Sequence, residues 1–258
     1  MKNIIITFIC LLLLNGRLLA QHAHFTTSGT IEFEKKINMY ALIPKIINKD
    51  NEAWLTPVFE AYKKSQPQFK VSKSTLSFSD NKTLFTPVEE EAATGDGYFG
   101  NSPMASQNNV IYTDLASKTG VFQKKVFDEL FLVKDSTRNI KWKITDETRE
   151  IAGYTCRRAN AIMMDSIYVV AFYTTEIPVS GGPESFTGLP GMILGIALPH
   201  ENMTWFATKV TDMTLAPNVV VPPKKGKPID RKGFNATIQK AFKDWGSEAP
   251  FYAKAFSL

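Results

Sequence analysis

The side chains able to do chemistry are few and unevenly placed. His22 and His24 stand together near the start, and His200 is the third and last histidine. The softer donors Cys156, Met192 and Met203 lie far downstream, Cys156 in an alternating run. With an α-amine freed at Gln21, these imidazoles and sulfurs form a donor set suited to copper, which soft ligands select. No spacing matches a closed zinc or iron–sulfur pattern, and methionine commonly serves as core filler. Glu176 and Glu184 flank a proline- and glycine-rich stretch and could form a carboxylate pair of the kind that hydrolyses glycosides, although acids in a loop are usually just solvated. No serine stands in a Gly-x-Ser-x-Gly setting. The first reading is therefore a non-enzymatic protein with no cofactor. Copper handling is the alternative, and an uncharacterised hydrolase the third reading.

The elements that must position these residues gather around Ile151 to Val210. Two apolar or alternating runs there flank "SGGPESFTGLPG", so strands are interrupted by backbone of unusual shape. In the turn Gly188-Leu189-Pro190-Gly191, Gly188 can take positive φ and Gly191 can let the next strand start close against another backbone. From Pro178 to Phe186 the chain is expected to form a rim that could contact a ligand or partner. A binding role also needs a concave apolar surface. Trp142, Tyr154, Phe172, Tyr173, Phe186 and Trp205 are the candidate liners of a pocket of several hundred cubic ångströms. Cys156 reads as a buried small hydrophobe.

The 258 residues open with Lys2, the apolar run Ile4 to Leu14 and a short polar patch ending at Ala20, the layout of a secretory signal peptide over residues 1–20. The run is too short to span a membrane. Removing Lys2 and Arg17 lowers the net charge from +5 to +3, too little and too scattered to suggest nucleic acid. A single cysteine then remains in residues 21–258, so the expected exported, periplasmic domain holds together without an internal disulfide.

Along that single domain, Phe25 to Ile43 reads as one long strand with a bulge near Lys35 and Lys36. Asn51 to Lys64 reads as a helix facing inward with Trp54, Val58, Ala61 and Tyr62. Hairpins follow, with a long surface loop after Pro87. Short turns between successive strands make an antiparallel meander. "VVVPPKKGKPIDRKG" reads as a basic connector before a short helix that carries Phe234, Ile238, Ala241, Phe242 and Trp245 on one inward face. Together these predict a mainly β (α+β) fold of nine or ten strands, a large curved antiparallel sheet closed as a barrel or open as a half-barrel, with one or two packed helices.

"WKITDETREIAGYTCRRANA", the segment Phe172 to Pro178 and "FTGLPGMILGI" together resemble the GLPGLI family of exported Bacteroidetes proteins, with Met192 where that signature has leucine. The resemblance implies a periplasmic accessory to a TonB-dependent outer-membrane transporter, with a small or peptidic ligand and no agreed activity. It also implies a bowl-shaped β module of the kind found beside glycan-releasing amidase domains.

Overall fold

Alternating side chains from Gly29 to Asn38 build strand β1, whose buried side carries Ile31, Phe33, Lys35 and Ile37. A lysine thus sits in the apolar register. The computed structural model describes residues 25–89, 97–100, 102–107, 109–164 and 166–257. The expected signal segment 1–20 lies outside the described residues, as do His22 and His24.

The remaining strands are β2 (Phe69–Ser79), β3 (Lys82–Pro87), β4 (Val110–Asp114), β5 (Thr119–Val126), β6 (Glu129–Ser136) and β7 (Lys143–Ile151). After them come β8 (Tyr154–Met163), β9 (Ile167–Thr174), β10 (Met192–Leu198), β11 (Met203–Asp212) and β12 (Lys227–Asp230). All twelve form one sheet in the order β12-β6-β5-β4-β3-β2-β1-β11-β10-β9-β8-β7. It is open, mainly antiparallel, with β12 parallel to β6. Positive φ at Asp80 and Asn81, and at Ala152 and Gly153, marks the tight two-residue turns that join β2 to β3 and β7 to β8.

The bulge expected near Lys35 and Lys36 is absent. β1 runs in unbroken register against β2 from Gly29 to Asn38. The extra residue lies in β11, opposite the Glu32/Phe33 step. A second irregularity, at Ile193/Gly195, bends β10 against β9. Such insertions increase local twist, and here the sheet end curls. Arg149 of β7 lies 4.8 Å from the Phe206 ring of β11, although three strands stand between them and flat neighbours are spaced about 4.8 Å apart.

Among the described residues three helices longer than a single turn pack near the sheet: α1 (Glu52–Ser65), α2 (Arg231–Ala241) and α3 (Ala249–Ser257), while a single turn over Met39–Leu42 ends the strand expected to run to Ile43. α1 buries Leu55, Phe59 and Tyr62, leaving Trp54 49% exposed, so its inward face is rotated from the expected one. α2 starts at Arg231, where Asp230 accepts from Gly233 N at 2.7 Å as an N-cap. Phe234 of α2 meets Phe131 of β6 at 5.7 Å between ring centroids. The expected basic connector therefore ends in a strand and a helix cap, because Lys227–Asp230 completes the free edge of β6. Trp245 is half exposed rather than buried, and α3 is a further helix that the reading of one terminal helix lacked. The stretch after Pro87 is also more than surface loop, since Phe99 and Met104 in two single helical turns are buried.

Candidate functional site

Between β9 and β10 the chain makes neither helix nor strand, yet residues 181–187 are buried throughout. Irregular backbone inside a protein must satisfy its own polar groups. Short local bonds do so here: Val179 N to Ile177 O at 2.8 Å, Gly181 N to Val179 O at 2.8 Å and Phe186 N to Pro183 O at 3.2 Å. Ile193 N donates to Gly181 O at 2.8 Å, tying the segment to β10. The expected rim is thus a plug. Pro178, Gly188 and Pro190 face solvent, whereas Phe186 and Leu189 are buried.

The Gly-Leu-Pro-Gly turn closes the plug. Gly188 has φ +97 and Gly191 φ +155. A Cβ on Gly191 would stand 2.0 Å from Thr174 O, so only glycine lets β10 start against β9. Gly188 N donates to Ser180 Oγ at 3.2 Å, and Trp142 Nε1 donates to Thr187 O at 2.9 Å. Trp142 therefore braces the turn from outside.

Beside that turn opens a cleft of about 470 Å³, between the end of β6 with the connector 137–140 after it, the β4–β5 turn and the plug. Thr137 N donates to Lys118 O at 2.8 Å, fixing the connector to that turn. Two cations, Lys118 and Arg138, line the cleft with the hydroxyls of Ser136, Thr137, Ser180 and Thr187. Asn139 adds an amide, Leu115 and Ile140 add apolar surface, and no described lining residue is a carboxylate. The volume falls within the usual range of small-molecule sites, about 300–1,000 Å³.

Beneath the plug lies a second space, of only about 20 Å³, lined by Lys35, Gln107, Asn109, Glu184, Phe186, Met203 and Trp205 among others. That is room for roughly one water. Lys35 is 8% exposed, and its Nζ lies over the Trp205 ring at 5.1 Å. Burial holds its ammonium below the usual lysine range, against the attraction of Glu184 and with the repulsion of Lys70. Glu184, in a left-handed conformation, accepts from Asn109 Nδ2 at 3.0 Å, and Asn109 accepts from Gln107 Nε2 at 2.9 Å. Sequence reasoning missed this network. The signal for it is a lysine in phase with Ile31, Phe33 and Ile37.

A third space, of about 10 Å³, sits under Ser185 and is lined by Lys124, Arg138 and Arg231. Lys124 is 4% exposed and donates to Phe256 O at 2.8 Å, and Arg138 donates to Ser257 O. Both cations thereby satisfy carbonyls at the C-terminal end of α3, where positive charge is favoured. Burial, and next the repulsion of Arg138, hold Lys124 down to about 7. Burial and the repulsion of Arg231 hold Arg138 down to about 10. Arg231 pairs with Asp135, whose carboxyl stays below its ordinary value because that bond and the Ser136 N–H outweigh its burial.

Of the six aromatic candidates, Phe186 and Trp205 meet at 6.3 Å beside Lys35. Phe172 lies on the opposite face of the sheet, under Arg149 and 6.3 Å from Phe206. Tyr173 is buried, Tyr154 is partly buried at the β7–β8 turn and Trp142 braces the plug. They do not converge on one pocket. Among the described residues no three His, Cys, Asp or Glu side chains stand close enough to hold a metal ion. Cys156 is fully buried, Met203 lines the small cavity under the plug, Met192 is buried near Gly181, and His200 is exposed in the β10–β11 turn. Glu176 is exposed and Glu184 buried, so the two acids have unlike surroundings, and the expectation that both are solvated fails for Glu184.

Cys156 Sγ donates to Tyr154 O at 3.5 Å, and burial, then Glu150 and Glu176, push its thiol up to about 12. Residues 21–258, in which Cys156 is the one cysteine, are therefore expected to resist Ellman's reagent at pH 8 when folded and to react with one equivalent in 8 M urea. Rapid labelling without urea would contradict its inert placement.

Residues 162–195, which include the Gly188–Gly191 turn, match a family described as "Protein of unknown function (Porph_ging)". No curated protein matches the sequence. Two crystal forms of PNGF-II share the fold. One superposes with TM-score 0.51 and 17% identity over 83% of this chain and 34% of that one. The other gives 0.52 and 15% over 83% and 33%. The chain thus spans about a third of the length of PNGF-II.

Proposed function

We propose that this is an exported, GLPGLI-like, non-enzymatic binding protein that holds a small or peptidic ligand in the cleft beside the Gly188 turn. In this reading it works in the periplasm as an accessory to a TonB-dependent outer-membrane transporter. The observation that carries the binding role is the cleft itself, about 470 Å³ and lined largely by hydrogen-bonding groups. The space among the buried aromatics admits roughly one water and supports no ligand of that size.

The cleft stands on braced backbone. Trp142, Ser180 and the Thr137–Lys118 bond hold its walls, which lowers the ordering cost of binding. Affinity purification of the full-length protein from its native envelope, under mild detergent, tests the proposal. The expected result is an outer-membrane transporter in the eluate and a small molecule or peptide released on denaturation. Recovery of neither would overturn it.

A further inference from the structure

Two small spaces flank Lys35 of β1 where the plug meets the sheet. Lys35, Asn109, Glu184 and Trp205 line both, one of about 20 Å³ and the other of about 10 Å³. Gln107 and Met203 also line the larger, and Ser74 of β2 with Phe85 of β3 the smaller. Around them the buried polar groups do not pair off. Trp205 is 3% exposed and Ser74 6%, yet neither Trp205 Nε1 nor Ser74 Oγ has a hydrogen-bond partner. A buried donor left so is costly. The Lys35 ammonium, 5.1 Å over the Trp205 ring, feels Glu184 through space rather than through a hydrogen bond. Glu184 accepts from Asn109 at Oε2, which leaves Oε1 as an acceptor without a partner among the described residues.

We infer that each space holds one ordered water, and that these waters seat the plug by bridging Lys35 of the sheet to Glu184 and to the two orphaned donors. In the larger space the water accepts from Lys35 Nζ and Trp205 Nε1 and donates to Glu184 Oε1. In the smaller it joins Lys35 Nζ to Ser74 Oγ. A water needs about 10–15 Å³ and two to four polar partners, so the larger space exceeds that size and the smaller just reaches it. The lining sets donors on the sheet against a carboxylate on the plug, which calls for a group that both accepts and donates. A bound anion would instead face the Glu184 charge at close range. The bridge ties the plug to β1, in addition to the Ile193–Gly181 bond that ties it to β10. It stands whether or not the cleft takes a ligand.

A crystal structure of the full-length protein, at a resolution that shows ordered water, tests this together with a second crystal soaked in sodium bromide. One oxygen peak is expected in each space, within about 3.2 Å of Lys35 Nζ, with no anomalous peak from bromide. A bromide peak, a space without density, or a direct Lys35–Glu184 bond overturns the inference. In solution, oxygen-17 relaxation counts long-lived waters. Ser74→Val replaces the hydroxyl by methyl groups that fill the smaller space, so the count should fall by one. An equal count in the folded variant overturns the smaller site, and the crystal decides if the variant fails to fold. Glu184→Gln keeps the shape and removes the charge. Hydrogen exchange at Ile193 N, which is bonded to Gly181 O, should then quicken about tenfold, as for the loss of a charge-assisted bond. Unchanged exchange there would show that the waters do not seat the plug.

Discussion

Gly191→Ala is expected to lower the unfolding free energy by at least about 4 kcal/mol, at the far end of what single substitutions do. A Cβ there would lie 2.0 Å from Thr174 O and 2.8 Å from its carbonyl carbon. The obstacle is backbone, so no side chain can swing away. The residue also sits at φ +155, a conformation that L side chains rarely adopt. Relief requires β10 to leave β9 at Met192, which releases the plug and the wall of the cleft. In urea the midpoint should fall by about 1.5 M or more for an ordinary dependence on denaturant. Gly153→Ala is the control. It too has positive φ, but nothing stands within 4 Å of the added carbon, so its cost should be about 1 kcal/mol. Equal losses for the two would show that the Gly-Leu-Pro-Gly turn is not held by close approach.

Stability should rise between pH 7 and pH 9, with Lys124 responsible for about 2 kcal/mol of the rise. Its folded value lies near 7, against an unfolded value near 10.4. Across that interval the unfolded chain holds a proton that the folded chain has released, so unfolding becomes harder as pH increases. Lys35, also held low by burial, adds in the same sense. Cys156 and Tyr252, pushed up to about 12, act in the opposite sense, because the unfolded chain releases their protons first. The Cys156 effect sets in from about pH 8 and takes back part of the rise, and the Tyr252 effect follows above about pH 9.5. Lys124→Met removes the titrating group. Losing the bond to Phe256 O shifts the variant at both pH values, so the difference in slope between wild type and variant isolates the lysine. Urea unfolding at pH 7 and pH 9 measures it, and an unchanged slope in the variant would contradict the placement of Lys124 in the interior.

Much of the architecture was legible because local periodicity and burial agree. The alternation in β1, the short turns between strands and the Asn51 helix start are all local features, and a large antiparallel sheet with packed helices follows from them, whereas its openness depends on pairings between strands distant in sequence. What was hidden depends on partners distant in sequence. Lys227–Asp230 is a strand only because β6 offers a free edge, and nothing in "KPID" announces it. α3 is short, and its last carbonyls are held by Lys124 and Arg138 from across the fold. The plug misled most. Gly-Gly-Pro-Glu-Ser usually reads as exposed loop, whereas here glycine allows close packing: a Cβ on Gly182 would stand 2.8 Å from Ile193. The aromatic liners were chosen by residue type, and parity sends Phe172 and Trp205 to opposite faces of the sheet. The cleft is lined instead by hydroxyls, an amide and two cations from three separate loops, none of which forms a sequence motif. Only Gly188 and the adjoining plug linked the readable stretch to it.

In the proposed binding role it is this cleft that holds the ligand. Wild type and Asn139→Trp, isolated side by side from the native envelope and examined by mass spectrometry after denaturation, test it most directly. Asn139 is exposed in the connector and lines the cleft, so the variant should keep the wild-type fold and unfolding midpoint. A small or peptidic molecule is expected to be released by wild type and to be missing from the variant. The same molecule released in equal amount by both, or by neither, would contradict it.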